Sequence, residues 1–300
     1  MKIPYFDAHC DTITACGRIG STTGHVDLNR LEQYAPAGQI FAICAEPEFL
    51  PGYQKYLPIL LKELAENEDR VMLCRSGADI RKAADTGKIA ALIAVEGGEH
   101  LGCSLEGLQR AYELGVRSVN LTWNYDNALS GAAVGSGSGL TDLGRQFVCL
   151  AQELGVIVDL SHASERAFWD TMEIIKRPVY ASHSDAKALS PAVRNLTDAQ
   201  FCALVRCGGG AGINLYADFL GLTRDIDAVV AHIEHFWALG GEKAVFLGTD
   251  FDGIDRTPKK LTGVERMDLL YEALLRRNYP EQLVQDLFYR NLRNILERAL

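Results

Sequence analysis

The segment that decides the fold is IAALIAVEG, residues 89–97. Its first seven residues are all apolar, which is typical of a parallel strand covered on both faces. The helical pattern LEGLQRAYELG follows at 105–115, and a second apolar run, VRSVNLTW, follows at 116–123. This order predicts a strand, a crossover helix and a second parallel strand.

The same alternation of short apolar runs and helical patterns extends over the whole chain. Eight runs predict eight strands, and Gly115, Gly155 and Gly240 lie where the intervening helices would end. We therefore predict one (β/α)8 TIM barrel domain over residues 1–300. A doubly wound open sheet is the alternative, but no GxGxxG follows the first strand. The runs are IPYFDAH (3–9), QIFAICA (39–45), IAALIAVEG (89–97), VRSVNLTW (116–123), VIVDLSH (156–162), PVYASH (178–183), GAGINLY (210–216) and AVFLGTD (244–250).

Composition and charge count against several functional classes. The 300 residues are 48% hydrophobic and carry a formal net charge of −9, without a block of Lys and Arg, so we expect no nucleic-acid binding. No apolar run has the length needed to span a bilayer, and residues 1–7 do not lead into the apolar segment of a signal peptide. We expect a cytoplasmic protein that binds no membrane.

Cysteine usage agrees with a reducing compartment. None of the eight cysteines forms a CxxC pair, so a structural zinc site is not expected. We predict free thiols that are mostly small buried residues. They are Cys10, Cys16, Cys44, Cys74, Cys103, Cys149, Cys202 and Cys207.

Possible metal ligands end five of the eight runs. Side chains two residues apart on a strand share a face, so His9 and Asp11 should point the same way. The carboxyl ends of TIM-barrel strands form the face on which active sites lie. The sequence therefore predicts that six donors meet there: His9, Asp11, Glu96, His162, His183 and Asp250.

Imidazole and carboxylate donors suit zinc or a similar divalent ion. One catalytic zinc ion takes fewer protein ligands than this set offers, whereas two ions about 3.5–4 Å apart would use them all. Glu96 is the natural bridging ligand, because no Lys that could be carboxylated ends a run. Metal-assisted hydrolysis is the chemistry that this set indicates.

Four further histidines and one loop are the other polar features of the sequence. His25, His100, His232 and His235 are predicted to be surface or structural residues, the last two on a helix that should face solvent. The Gly- and Ser-rich segment NYDNALSGAAVGSGSG, residues 124–139, is predicted to be an active-site lid, with a plain mobile loop as the alternative.

The motifs together resemble the membrane (renal) dipeptidase family, which comprises zinc metallopeptidases of the amidohydrolase-type barrel superfamily. The resemblance covers nearly the whole chain. It is carried, in order, by DAHCDT, AVEGGE, IVDLSH, PVYASHSDAKAL, RNLTD and LGTDFDG.

This resemblance implies a metal-dependent hydrolase with two zinc ions per chain. His9 and Asp11 would hold one ion, His162 and His183 the other, and Glu96 would bridge them. Asp250 and Glu96 would be catalytic residues, with Asp250 beside the nucleophilic water. Arg194 would bind the substrate carboxylate, and Tyr216, Trp123 and Asn124 would lie on the substrate side. The implied activity is hydrolysis of dipeptides, including those with a C-terminal D-residue, by a possible homodimer.

One position departs from the family pattern. Many members read Leu-Thr-His-Asn after the fourth strand, where the His stabilises the tetrahedral intermediate, and this chain reads Leu-Thr-Trp-Asn at 121–124. Trp123 offers only an indole N–H, so Trp123, Asn124 or Tyr125 would have to substitute. Two alternatives follow: an amidohydrolase acting on another amide, lactone or N-acyl substrate, or a catalytically weak barrel used for binding.

Overall fold

The structure, a computed structural model, describes residues 2–44 and 52–300. Nine strands form one sheet within these residues, and every pair of neighbouring strands is parallel. The strands are β1 Tyr5–Cys10, β2 Ala37–Ile43, β3 Val71–Leu73, β4 Ile89–Glu96, β5 Val116–Asn120, β6 Ile157–Asp159, β7 Tyr180–Ala181, β8 Gly210–Ile213 and β9 Val245–Leu247.

Eight of the strands close into a barrel. β1 pairs with β2 on one side and with β9 on the other, and β2 pairs directly with β4. The predicted (β/α)8 barrel is therefore confirmed, and all eight predicted runs contain a barrel strand. The strand β3 was not predicted; its residues Val71–Leu73 pair with Ile89–Ala91 of β4. Three residues are too few to show a strand period, so this element had no clear signal.

Helices connect the strands and cover the barrel. The helix predicted at 105–115 is present at Leu105–Glu113. None of the helices in the described ranges is long and apolar enough to cross a membrane. The helices are α1 Thr12–Cys16, α2 Leu28–Leu31, α3 Gly52–Glu66, α4 Gly77–Asp85, α5 Leu105–Glu113, α6 Asp142–Leu154, α7 Glu165–Met172, α8 Asp198–Arg206, α9 Ile226–Ala238, α10 Asp268–Arg276, α11 Glu281–Gln285 and α12 Asn291–Ala299.

Burial on both faces explains the continuous apolar run of β4. All eight residues of this strand are buried. Alternate residues belong to two apolar clusters: Ile93 and Val95 lie in the larger one, while Leu92 and Ala94 lie in the smaller one. The smaller cluster also contains buried residues of α12, the C-terminal helix. The burial of a whole strand is thus sufficient to explain its lack of polar alternation.

The cysteines are free thiols, as predicted, but most are not fully buried. Cys10 and Cys74 are buried, and Cys149 is exposed. The remaining five are partly exposed, so the prediction of mostly buried cysteines is wrong. Burial of a small thiol depends on which neighbours pack over it, and the sequence does not contain that information.

Glycine is required where β8 and β9 approach β7. A Cβ atom at Gly212 or Gly248 would overlap the carbonyl oxygen of Ser182, and each glycine also lies against the Cα of the other. The neighbouring atoms are backbone, which cannot rotate away. These glycines allow the strand ends that carry His183 and Asp250 to lie close together.

We expect Gly248→Ala to destabilise the barrel by about 2 kcal/mol or more, because the added methyl group must displace backbone. Gly20→Ala is the matched control, since its Cβ would make only ordinary contacts of 3.7 Å or longer. Denaturant unfolding of both variants measures the difference. Equal stability of the two variants would contradict the close approach of Gly248 to the backbone of Ser182.

Candidate active site

The six predicted donors lie together at the carboxyl-terminal end of the barrel. Glu96 is the last residue of β4, and His9 and Asp11 lie at the end of β1. His162, His183 and Asp250 lie two or three residues beyond the ends of β6, β7 and β9. Parallel strands bring these ends to one face, so residues up to 241 positions apart in the sequence become neighbours.

Glu96 lies at the centre of the group. Its Oε1 is 2.8 Å from Nε2 of His162, 3.3 Å from Nε2 of His183 and 3.6 Å from Nε2 of His9. Nε2 of His9 lies 3.4 Å from Oδ2 of Asp11 and 3.9 Å from Oδ1 of Asp250. One carboxylate oxygen thus faces imidazoles from three different strands.

Two of the donors have unusual backbone conformations. His162 has φ +72° and Asp250 has φ +61°, both in the left-handed region that non-glycine residues avoid. Such a conformation costs about 1–3 kcal/mol and persists only where surrounding contacts impose it. With this backbone, the side chain of His162 reaches Glu96 and that of Asp250 faces His9.

Hydrogen bonds orient two of the imidazole rings. Nδ1 of His162 lies 2.9 Å from Oδ1 of Asn124, and Nδ1 of His183 lies 2.6 Å from Oγ of Ser182. When each Nδ1–H donates to its oxygen, both Nε2 atoms face the site as acceptors, 3.1 Å apart. Two facing acceptors beside a carboxylate oxygen attract a cation.

Burial and mutual interaction shift the pKa values of the carboxyl groups in opposite directions. Burial favours a higher pKa for Glu96, but the interaction with His9 opposes it, and the pKa of Glu96 lies well below its ordinary value. Burial raises the pKa of Asp11 to about 6 and that of Asp250 to about 7, and Glu96 contributes to both increases. Asp11 and Asp250 are thus carboxyl groups that lack sufficient positive charge around them.

The donor set fits divalent metal ions. Within the described part of the chain, Nδ1 and Nε2 of His9 and Oδ1 of Asp11 are buried without a hydrogen-bond partner. Burial lowers the pKa of His162 to about 4, which keeps this imidazole in the neutral form that binds metals. Three overlapping groups of donors have their ligand atoms within 4.8 Å of one another: His9, Asp11 and Glu96; Glu96, His162 and His183; and His9, His183 and Asp250.

A cavity of about 950 Å³ opens onto these donors and includes the predicted substrate-side residues Arg194, Trp123, Asn124 and Tyr216. Nη2 of Arg194 lies 3.1 Å from Nε2 of His183, and the Arg194 side chain is buried. The ring of Trp123 lies 6.4 Å from the His162 ring, centroid to centroid.

Asn124 contacts one of the predicted metal ligands. Its Oδ1 faces the ring of His162, and the side chain also lines the cavity, so its predicted contact with the substrate stays a prediction. The following loop, predicted to be a lid, borders the cavity through Tyr125, Val134 and Gly135. Asp126 holds this loop by accepting hydrogen bonds from the N–H groups of Ala132 and Ser136. Lid movement stays a prediction.

The four remaining histidines lie outside the donor groups, but the expected solvent exposure of His232 is wrong. His232 is 1% exposed, accepts a hydrogen bond from Ala186 N–H at Nδ1 and donates to Leu220 O at Nε2. His235 pairs with Asp198, and His25 accepts from Asp252 N–H. The side of α9 that carries His232 was expected to face solvent, but it is buried.

Several polar residues around the donors were missed. Nδ2 of Asn214 donates to Oδ2 of Asp250 at 3.0 Å, and buried Asp7, Asp159 and Asp185 accept backbone N–H groups near the donors. Their signal was present, since Asp7, Asp159 and Asn214 are polar residues within predicted apolar runs and Asp185 lies two residues after one. A charged residue in a buried strand requires hydrogen-bond partners.

A closed parallel barrel with clustered metal donors at its carboxyl-terminal end defines the class of metal-dependent (β/α)8 hydrolases. The family model of membrane dipeptidase, peptidase family M19, matches residues 1–299. The chain belongs to this family, as the motifs indicated, and is a metal-dependent hydrolase of the dipeptidase type.

Individual relatives agree with this assignment. The chain is 33% identical over 304 residues to an uncharacterized dipeptidase of Schizosaccharomyces pombe, covering 92% of this chain and 73% of the relative. It is 35% identical over 256 residues to an uncharacterized protein in the pqqA 5′ region of Klebsiella pneumoniae, covering 81% of this chain and 94% of the relative.

Solved structures show the same fold. The dipeptidase AC, a metallopeptidase of family M19, is 28% identical and superposes with a TM-score of 0.90 over 100% of this chain and 99% of its own. A metallopeptidase from Rhodobacter sphaeroides, solved with a phosphinate mimic of the dipeptide L-Ala-D-Ala, is 27% identical, with a TM-score of 0.87 over 100% of both chains.

His232 should make stability depend on pH. Burial lowers its pKa to about 4, against about 6.5 in an unfolded chain, so the unfolded state binds more protons between these pH values. This contribution is fully present above pH 6.5 and is lost as the pH falls toward 4. Relative to a His232→Gln variant, which cannot titrate there, we expect the metal-free protein to lose roughly 2–3 kcal/mol between pH 7.5 and 4.5.

Denaturant unfolding of both metal-free proteins at the two pH values measures this difference. Parallel pH profiles for the wild type and the variant would show that His232 is not held neutral.

Proposed function

We propose that this chain is a dinuclear zinc dipeptidase that hydrolyses dipeptides, including those with a C-terminal D-residue. The observation that carries the proposal is the position of Glu96, whose Oε1 lies within 3.6 Å of three imidazole nitrogens. A carboxylate shared in this way suits a bridge between two ions. His9 and Asp11 would hold one ion, and His162 and His183 the other, with zinc favoured by the mixed N and O donors.

Bound divalent ions supply Lewis-acid stabilisation of the carbonyl oxygen and lower the pKa of a water molecule near them. Asp250 lies beside His9 and is held by Asn214, which leaves its Oδ1 directed toward the donors. In this position Asp250 takes the proton of the attacking water and passes it to the leaving amine.

Arg194 is the residue that we assign to the substrate carboxylate. It is the only Arg or Lys among the described residues that line the cavity. Its Nε lies buried without a hydrogen-bond partner within the part of the chain that the structure describes, so this N–H is available to a substrate carboxylate oxygen. The adjacent ring of Phe219, 5.9 Å from the guanidinium carbon, supports the side chain from one side.

The aromatic residues of the cavity supply the rest of the proposed substrate site. Trp123 packs edge-on against Tyr125, and Tyr216 packs edge-on against Phe219. These rings form apolar walls that exclude water from a short peptide. The phosphinate mimic of L-Ala-D-Ala bound by the Rhodobacter sphaeroides relative supports a dipeptide with a C-terminal D-residue as the ligand.

Trp123 supports a second candidate, an amidohydrolase acting on another amide, a lactone or an N-acyl amino acid. An indole in place of the imidazole found in many family members changes the hydrogen-bond donor beside the reacting carbonyl. A panel of L-L and L-D dipeptides, lactones and N-acyl amino acids separates the two candidates. If the protein hydrolyses only lactones, the second candidate replaces the dipeptidase proposal.

A cytoplasmic location and a homodimer complete the proposal. The free state of the cysteines supports a reducing compartment. The homodimer rests on the family resemblance alone and stays a prediction.

Metal content tests the bridging role of Glu96. We expect about two zinc ions per purified wild-type chain. Glu96→Ala should retain at most one ion and lose activity, because both ions share this ligand. Lys243→Ala is the control, since this surface side chain lies outside the donor groups and should leave metal content and activity unchanged. One ion in the wild type would contradict the dinuclear proposal.

Substrates with and without a terminal carboxylate test the role proposed for Arg194. We expect Arg194→Met to lower kcat/KM for L-Ala-D-Ala by about 100-fold, because a charge-assisted contact to the carboxylate is lost. For the corresponding dipeptide amide, which has no carboxylate, the wild type should already be slow and the substitution should change little. An equal loss on both substrates would show that Arg194 supports the metal ligands instead.

A further inference from the structure

Asp159 is a buried carboxylate outside the proposed ligand set. It is the last residue of β6 and is 1% exposed. Its Oδ1 accepts hydrogen bonds from two backbone N–H groups, those of Ser161 at 3.0 Å and Ser182 at 2.9 Å. These serines directly precede His162 and His183. A single oxygen atom therefore joins the two segments that carry these histidines.

The two serines extend this connection to His183. Oγ of Ser161 accepts the backbone N–H of His183 at 3.0 Å, and Oγ of Ser182 lies 2.6 Å from Nδ1 of its ring. The hydrogen bonds thus constrain both the main chain and the ring of this residue. His162, on the other segment, has the left-handed backbone that surrounding contacts must maintain.

We propose that Asp159 is a positioning residue that holds His162 and His183 as a pair for one metal ion. The inference rests on the ligand assignment proposed above. Without the carboxylate, two buried N–H groups lose their acceptor and the segments can separate. The Nε2 atoms, now 3.1 Å apart, would then lose the geometry that a metal ion requires.

Asp7 offers a matched comparison in the other half of the site. It is also fully buried, lies two residues before His9, and accepts the backbone N–H of Thr249 at 2.8 Å. Thr249 directly precedes Asp250, and its hydroxyl group donates to Asp7 at 2.6 Å. Asp7 thus joins the segments of His9 and Asp250, and within residues 2–44 and 52–300 it makes no hydrogen bond to the segments of His162 and His183.

Zinc titration of metal-depleted full-length protein, with Co²⁺ absorption as a second readout, tests the proposal. For Asp159→Ala we expect one ion to bind with wild-type affinity and the other about 10–100-fold more weakly. Excess zinc should restore activity. In a His162→Asn background, which already weakens the same ion, Asp159→Ala should have little further effect, whereas Asp7→Ala should still weaken the remaining ion.

Three results would overturn the proposal. Asp159→Ala could keep both wild-type affinities while its Tm falls, which indicates a purely structural residue. It could weaken both ions equally, which indicates general loosening of the site. If Asp159→Ala does not fold, Asp159→Val decides the question, because it fills a similar volume but removes the acceptor oxygen. We expect about 10-fold weaker binding of one ion for that variant, and unchanged binding would refute the role.

The wild-type titration separates this inference from the proposed function. Two ions in the wild type, with no selective effect of Asp159, refute the positioning role alone. A wild type that binds no zinc refutes the ligand assignment together with the positioning role.

Discussion

The arrangement of Glu96 among three imidazoles is the constraint on which the site depends. A buried carboxylate in contact with His9, His162 and His183 links three strands that are distant in sequence. Burying that charge is unfavourable unless opposite charge accompanies it. The interaction with His9 lowers the pKa of Glu96, whereas burial raises the pKa values of Asp11 and Asp250, as expected for carboxyl groups with little positive charge around them. Metal ions meet this need.

The barrel provides the rigidity that such a group requires. The strands end at one face, and glycines at 212 and 248 let neighbouring ends approach to backbone contact. Left-handed backbone at His162 and Asp250 then turns the side chains inward. Strain of this kind is maintained by hydrogen bonds from buried polar residues such as Asn214 to Asp250.

Much of the fold and of the donor group was accessible from the sequence. The eight apolar runs predicted the barrel strands, because strands buried on both faces consist of nearly continuous apolar residues. The donors were recognisable because polar residues at the ends of such runs are unusual. β3 and the burial of His232 were inaccessible, since a three-residue strand has no period and the covering of a helix depends on its neighbours.

By itself, the sequence determined the class of fold, the family and the residues that end the strands. These are local properties, because they follow from the spacing of apolar residues along the chain and from the chemical type of individual side chains. Only the tertiary structure decided that Asn124 faces the ring of His162, that Glu96 faces three imidazoles, and that Asp159 joins the segments of two histidines. Such contacts depend on the angles and separations of strands that meet only after the barrel closes, and no local pattern encodes them.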